Sequence, residues 1–324
     1  MSNDNTTNDE QRLAHLPVSI FSTVMGMSGF AIAWQKAHAA LAAPALIWQL
    51  LAGFATVAFA ALLALYGLKL LRHFPEVTKE WNHPVRVSFF PTISISLLLL
   101  AVVWLELAPQ ASFLLLIAGA TIHLAFTLAI LSSWLFHTHY DIKHANPGWF
   151  IPVVGNLFVP IVAARFGLTE IAWFFFSIGI VFWIVMMAIV IYRIVFHDPI
   201  PPKLLPTLFI LIAPPAVGFI AYSALTPEVD GLSRVLYYTG LFTTIMLGAN
   251  FRRFLKAGFF ISSWAYSFPL AAITIATFLI GKRTGLPYFA PLAATLLAIL
   301  SGVIVVLLWK TLGAIRRKAI CLPE

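Results

Sequence analysis

Residues 203–225 read KLLPTLFILIAPPAVGFIAYSAL. The stretch carries one charge, Lys203 at its start, and as a helix it is long enough to cross the roughly 30 Å of a bilayer's hydrocarbon. Pro206, Pro214 and Pro215 stand inside it. An interior proline deletes a backbone hydrogen bond and kinks a helix. In lipid the freed carbonyl must be met by protein or by a water-filled space. Such a helix belongs inside a bundle, facing other helices or a passage.

Outward from this stretch, apolar runs fall at 17–35, 44–72, 84–105, 110–136, 148–166, 169–196, 203–225, 229–256, 258–281 and 287–313. Ten runs of this length read as ten spans. Composition agrees: the chain is 61% hydrophobic and 10% charged, whereas a soluble domain carries about 25% charged residues. The breakers sit in the odd runs: Gly26 and Gly29, Pro91, Pro152 and Pro160, the three prolines above, and Pro269. In the even runs proline stands only near the starts, as Pro44, Pro287 and Pro291. The breakers recur at roughly 60 residues, which is one helical hairpin repeated five times. Hairpins that cross twice share one orientation, as do repeats related by an axis along the membrane normal. The expectation is an all-α integral membrane protein: ten transmembrane helices as five hairpins in a pseudo-fivefold arrangement. Inner odd helices, kinked at Pro91, Pro152, Pro215 and Pro269, would line a central pore. The competing reading gives the prolines a packing role alone. A ten-helix domain over 16–314 would lie between short tails at 1–15 and 315–324.

Of the 20 Lys and Arg residues, 15 belong to the tails and to the loops on the tails' side. Positive residues collect on the cytoplasmic side, so both termini are expected in the cytoplasm, with the protein in a cell membrane (inner or plasma). The same distribution makes the net charge of +8 a topology signal rather than a nucleic-acid footprint. Residues 1–14 lack the basic-then-apolar order of a secretory signal. The single cysteine, Cys321, excludes an intrachain disulfide and a thiol-based metal site.

No nucleophile–base pair, glycine-rich phosphate loop or HExxH occurs, so no enzyme is expected. His123 stands alone inside a span, too few for bis-histidine haem, and reads as an interhelical hydrogen bond. His137, His139, His144 and Asp141 share a loop, but their spacing fits no closed metal site. No cofactor or metal is expected. Glu106, Arg165, Glu170 and Arg193 lie at run ends, and no Asp, Glu, Lys or Arg lies near the middle of a run. A neutral pore is therefore expected, holding ions by backbone and hydroxyl dipoles. An acidic ring, which would favour cations, is absent.

Four motifs then stand out in order: His83-Pro84-Val85-Arg86-Val87-Ser88-Phe89-Phe90, Pro152-Val153-Val154-Gly155-Asn156, Ala213-Pro214-Pro215-Ala216-Val217 and Trp264-Ala265-Tyr266-Ser267-Phe268-Pro269. Over about residues 17–313 the chain resembles the slow-type anion channels of plant guard cells and the bacterial tellurite-resistance proteins. That family also bears the label of C4-dicarboxylate transporters. The resemblance implies odd helices lining a pore and three protomers, each with its own pore. It further implies selective passage of small anions such as nitrate and chloride. It makes Phe268 the ring that plugs the pore, although among 28 phenylalanines a packing role is the competing reading. A ring across an apolar constriction dewets it, and a dehydrated anion cannot pass. Pro269 gives the ring room to swing. Ser22, by the family alignment, offers a hydroxyl on the axis. Asn156 and Ser267 offer polar groups that could equally bond a neighbouring helix, and Gly26 and Pro214 complete the pore-lining candidates.

The expected function is a gated anion channel for small monovalent anions. The alternatives are a secondary transporter of C4-dicarboxylates or oxyanions such as tellurite, and a membrane scaffold with a vestigial passage. Expected partners are small inorganic anions, the lipid bilayer and further copies in a homotrimer, with no nucleic acid.

Overall fold

The structure, a computed structural model, describes residues 12–256 and 258–321. Residues 1–11 of the expected N-terminal tail and 322–324 of the C-terminal tail lie outside them. The protein is an all-α membrane protein. Its long helical elements are α1 (Val18–Leu41), α2 (Ala45–Arg72), α3 (Arg86–Trp104), α4 (Pro109–Phe136), α5 (Pro147–Phe166), α6 (Thr169–Phe196) and α7 (Pro202–Leu225), then α8 (Gly231–Ala249), α9 (Ile261–Thr284) and α10 (Phe289–Arg316). Among the described residues nine of these are long and apolar enough to span a bilayer; α8 is the exception. Arg234, Tyr237, Tyr238, Thr239, Thr243 and Thr244 dilute its apolarity. The run expected at 229–256 also breaks at Asn250, with a separate turn at Phe251–Leu255.

Burial alternates along the chain. In the odd helices between 67% and 78% of the apolar stretch is buried, and in α2, α4, α6 and α10 between 22% and 33%. α8 joins the outer set, with Val235, Phe242 and Ile245 exposed. Each inner helix packs on the outer helix that follows it. Inner helices also pack on one another in sequence: α1 on α3, α3 on α5, α5 on α7, α7 on α9, and α9 back on α1. They close a ring of five.

Every inner helix opens as a 3-10 helix and turns α deeper in. The 3-10 segments are Val18–Phe21, Arg86–Phe89, Pro147–Phe150, Pro202–Ile212 and Ile261–Tyr266. The prolines expected as kinks mark these changes of helix type. Pro91 is the N-cap of the α segment Thr92–Trp104. Pro152 and Pro215 stand in the opening turns of Ile151–Val154 and Ala213–Leu225, and Pro269 is third in Ser267–Thr284. A first-turn N–H has no partner in its own α-helix, so proline sacrifices little there. The far ends of α5 and α9 close on Gly167 (φ 73°) and Gly285 (φ 68°), in the left-handed conformation that glycine adopts without penalty.

Close approach of the inner helices rests on small residues, the usual device where lipid supplies no hydrophobic drive. A Cβ at Gly26 would collide with Ser267 Oγ, so α1 and α9 meet backbone to side chain. A Cβ at Gly155 would collide with the His123 ring of α4. At the terminal side a buried polar cluster fixes the start of α1. Glu80, in the short helix Phe74–Trp81, accepts from the Val18 N–H at 2.7 Å, the Tyr66 hydroxyl at 2.9 Å and Lys69 Nζ at 2.9 Å. Lys69 Nζ donates in addition to the Leu16 carbonyl at 2.7 Å.

Candidate functional site

The ring of inner helices encloses a cavity of about 1090 Å³, open at the side where the chain termini lie. Its wide end carries the charges on the wall: Lys69, Lys79, Arg86, Lys203 and Arg317 against Glu76 and Glu80. The positive groups outnumber the negative. Lys79 hydrogen-bonds Glu76 at 2.7 Å and holds its carboxyl below the usual range. The five inner helices also begin at this end, which directs five positive dipole ends at the vestibule.

Deeper in, the wall turns apolar: Met25 from α1, Ile95 from α3, Val154 and Phe158 from α5, Val217 from α7 and Phe268 from α9. The cavity ends at two aromatic rings. Phe268 and Phe158 meet edge to face, with centroids 5.3 Å apart and planes at 64°. Both are buried, at 7% and 3% exposure. Their helices are separated in the ring by α7, so this pair reaches across the lumen rather than along its wall. The glycine at position 29 makes room for it, since a Cβ there would lie 3.0 Å from Phe268 Cδ2.

Among the hydroxyls on the wall are those of Ser22, Thr92 and Thr207. Each donates to a carbonyl three residues back in its own 3-10 segment: to Ser19 at 2.7 Å, to Phe89 at 2.5 Å and to Leu204 at 2.6 Å. Their hydrogens are thus directed into the backbone, and their oxygens are what the lumen presents.

Of the pore-lining candidates, Ser22 and Pro214 lie on the cavity wall, as do Phe268 and Pro269. Gly26, Asn156 and Ser267 are not on it. Gly26 and Ser267 face each other in the α1–α9 contact, where Ser267 Oγ donates to the Trp264 carbonyl at 2.5 Å. The Asn156 amide is fully buried behind the wall and donates to Thr127 Oγ1 at 3.1 Å and the Val153 carbonyl at 2.9 Å. His123 pairs with Ser94 at 2.9 Å, the interhelical hydrogen bond expected of it. Among the described residues no group of His, Cys, Asp and Glu could hold a metal ion.

Phe158 is the residue that sequence reasoning missed. A signal for it exists: Phe158 precedes Pro160 by two residues in an inner run, much as Phe268 directly precedes Pro269.

A ring of helices around an apolar lumen that ends at two aromatic rings, with a positive vestibule, is the architecture of a membrane transport protein. The chain matches the Voltage-dependent anion channel family over residues 15–312 and belongs to it. It is 29% identical to the guard cell S-type anion channel SLAC1 of Arabidopsis thaliana, covering 93% of this chain and 56% of that protein. It is also 29% identical to the S-type anion channel SLAH3 of the same plant, over 82% of this chain and 43% of the relative. With the tellurite resistance protein TehA homolog of Haemophilus influenzae it shares 26% identity, over 80% and 79% of the two chains. The chain spans about half the length of SLAC1, SLAH2 and SLAH3.

Proposed function

We propose that the protein is a gated channel for small monovalent anions such as nitrate and chloride, closed by the Phe158–Phe268 pair. The observation that carries this reading is the edge-to-face pair across an apolar lumen at the end of a positive vestibule. An apolar constriction filled by rings holds no water, and an anion stripped of water does not enter it. Five positive helix ends and the excess of basic residues favour anions over cations at the vestibule. Secondary transporters bind and couple through ionisable groups near mid-membrane. Here the charges on the cavity wall all belong to its wide end, which favours a channel over a carrier of dicarboxylates or tellurite.

In this reading the five hairpins form a pseudo-fivefold unit. Residues 16–314 form the channel domain, and three copies assemble with three separate pores. Both tails, 1–15 and 315–324, stand in the cytoplasm of a cell that carries the protein in its inner or plasma membrane. Native mass spectrometry in mild detergent reads the assembly, and a monomer alone would refute it. Labelling of single cysteines reads the sidedness, and reaction of positions 78–82 from outside would refute that.

The gate is tested by current per folded protein in planar bilayers for wild type, Phe268→Leu and Phe268→Ala. Conductance should rise in that order with anion preference kept. A packing role predicts instead lost stability, about 3–5 kcal/mol for truncating a buried phenylalanine, with no gain in current. A flat series at normal folded yield would sink the gate. Saturating uptake without ohmic steps would support the carrier.

A further inference from the structure

On the channel reading a passage continues beyond the ring pair to a second mouth, away from the chain termini, where the five inner helices end. Their C-terminal dipole ends are negative, which opposes an anion there. The sequence places charged residues at this end in register with the lumen wall. An α-helix turns about 100° per residue, so 14 residues return to within about 40° of the starting direction and seven to within about 20°. On α1, Lys36 stands 14 residues after the wall residue Ser22. On α9, Lys282 stands 14 after Phe268. On α5, Arg165 stands seven after Phe158. Just past the end of α3, Glu106 stands 14 after Thr92. Lys36 lies within electrostatic range of all three others, attracted by Glu106 and opposed by Lys282 and Arg165. Three inner helices and the chain just past a fourth thus bring one charge each to the same end of the bundle. Arg165, Lys282 and Glu106 are exposed and Lys36 is partly so.

We infer that Lys36, Arg165, Lys282 and Glu106 form a second anion site, an outer vestibule of net charge +2 that concentrates small anions at the far mouth and offsets the helix ends there. Lys36 and Arg165 are its inner members, and Lys36 is the less exposed of the two. Lys36 stands seven residues past Gly29, which packs on the Phe268 ring, or about 10 Å deeper along the axis. Arg165 stands the same distance past Phe158. Lys282 lies further out, so the site is a staggered funnel rather than a flat ring. The neighbouring Arg283 is engaged elsewhere, donating to the carbonyls of Ser223, Thr226 and Pro227 and closing the end of α7.

This inference rests on the channel reading, and its test separates the two. Lys36→Gln, Lys282→Gln, Glu106→Gln and the charge-keeping Lys36→Arg are each made in the Phe268→Ala background, in oriented planar bilayers with symmetric chloride. The readout is the ratio of the current carried by anions entering at the far mouth to that in the other direction. A unit charge about 8 Å from the path changes the local anion concentration about twofold in dilute salt, and screening removes most of that at 1 M. In about 20 mM chloride the ratio should fall about twofold in Lys36→Gln and Lys282→Gln, rise about twofold in Glu106→Gln, and return to the parent value in Lys36→Arg. At 1 M chloride the variants should converge. Ratios that ignore these charges at low salt, or that differ equally at 1 M, overturn the site while leaving the channel standing. Should Phe268→Ala carry no ohmic current but proteoliposomes take up anion with saturation, the channel reading fails. The site is then read from the external concentration that gives half-maximal uptake. That value should double in Lys36→Gln, and an unchanged value refutes the site. Neither current nor uptake refutes both.

Discussion

At the scale of single residues, the proposed plug joins Phe158 and Phe268, which meet edge to face from two helices. If the plug is shared, removing either ring opens the lumen. Phe158→Ala should raise chloride conductance, and the double Phe158→Ala/Phe268→Ala should gain far less than the product of the single effects, since neighbouring residues couple. Single-channel recording at matched folded yield checks this; multiplicative effects would mean two independent constrictions. Phe268 was singled out through the family resemblance that the motif ending in Pro269 carries. Phe158 was not, because one phenylalanine among 28 carries no mark of which ring it will face. Polar type was equally undecided. Asn156 and Ser267 could face the lumen or bond a neighbour, and in a dry interior a polar side chain seeks the nearest backbone or hydroxyl partner, which both find behind the wall.

At the scale of elements, the helix breakers were informative about place and incomplete about mechanism. Pro91, Pro152, Pro215 and Pro269 identify the inner helices, because only there is irregular backbone sheltered from lipid. That they mark a passage from 3-10 to α geometry was not legible, since proline suits the first turn of a helix as well as it makes a kink. The glycines of α1 are contact surfaces. Gly26→Ala would drive a methyl into Ser267 and separate α1 from α9. Overpacking of this kind costs about 1–3 kcal/mol, so the thermal midpoint in detergent should fall by several degrees. A neighbouring substitution at a lipid-facing glycine, Gly53→Ala, meets nothing within 4 Å and should leave the midpoint unchanged. Equal behaviour of the two would refute the tight α1–α9 contact. The length of α8 was overread because apolar residues continue past Asn250, where the helix itself stops.

At the scale of the whole molecule, the Lys69–Glu80 pair ties the first inner helix to the terminal-side loop between α2 and α3. Both side chains are nearly inaccessible, at 3% and 5% exposure. Removing one partner strands a buried charge, which costs about 3–5 kcal/mol. Lys69→Met should therefore sharply lower folded yield, and Lys69→Met/Glu80→Gln should recover part of it. Thermal unfolding of the purified variants decides this, and a stable Lys69→Met single variant would contradict it.

The unequal lengths of the outer helices set how the protein meets lipid. α2, α4, α6 and α10 have 28 residues each, about 42 Å, whereas α8 has 19, about 28 Å. A hydrocarbon layer near 30 Å is comfortably crossed by the four and barely by the fifth. The lipid annulus around the chain is then uneven: bilayer thickness is tolerated on four flanks and limited on the flank of α8. Reconstitution in phosphatidylcholines of increasing acyl-chain length should strain that flank first. Hydrogen exchange should rise in Gly231–Ala249 before it rises in α2, α4, α6 or α10, and a uniform rise would show that neighbouring protein rather than lipid covers the short helix.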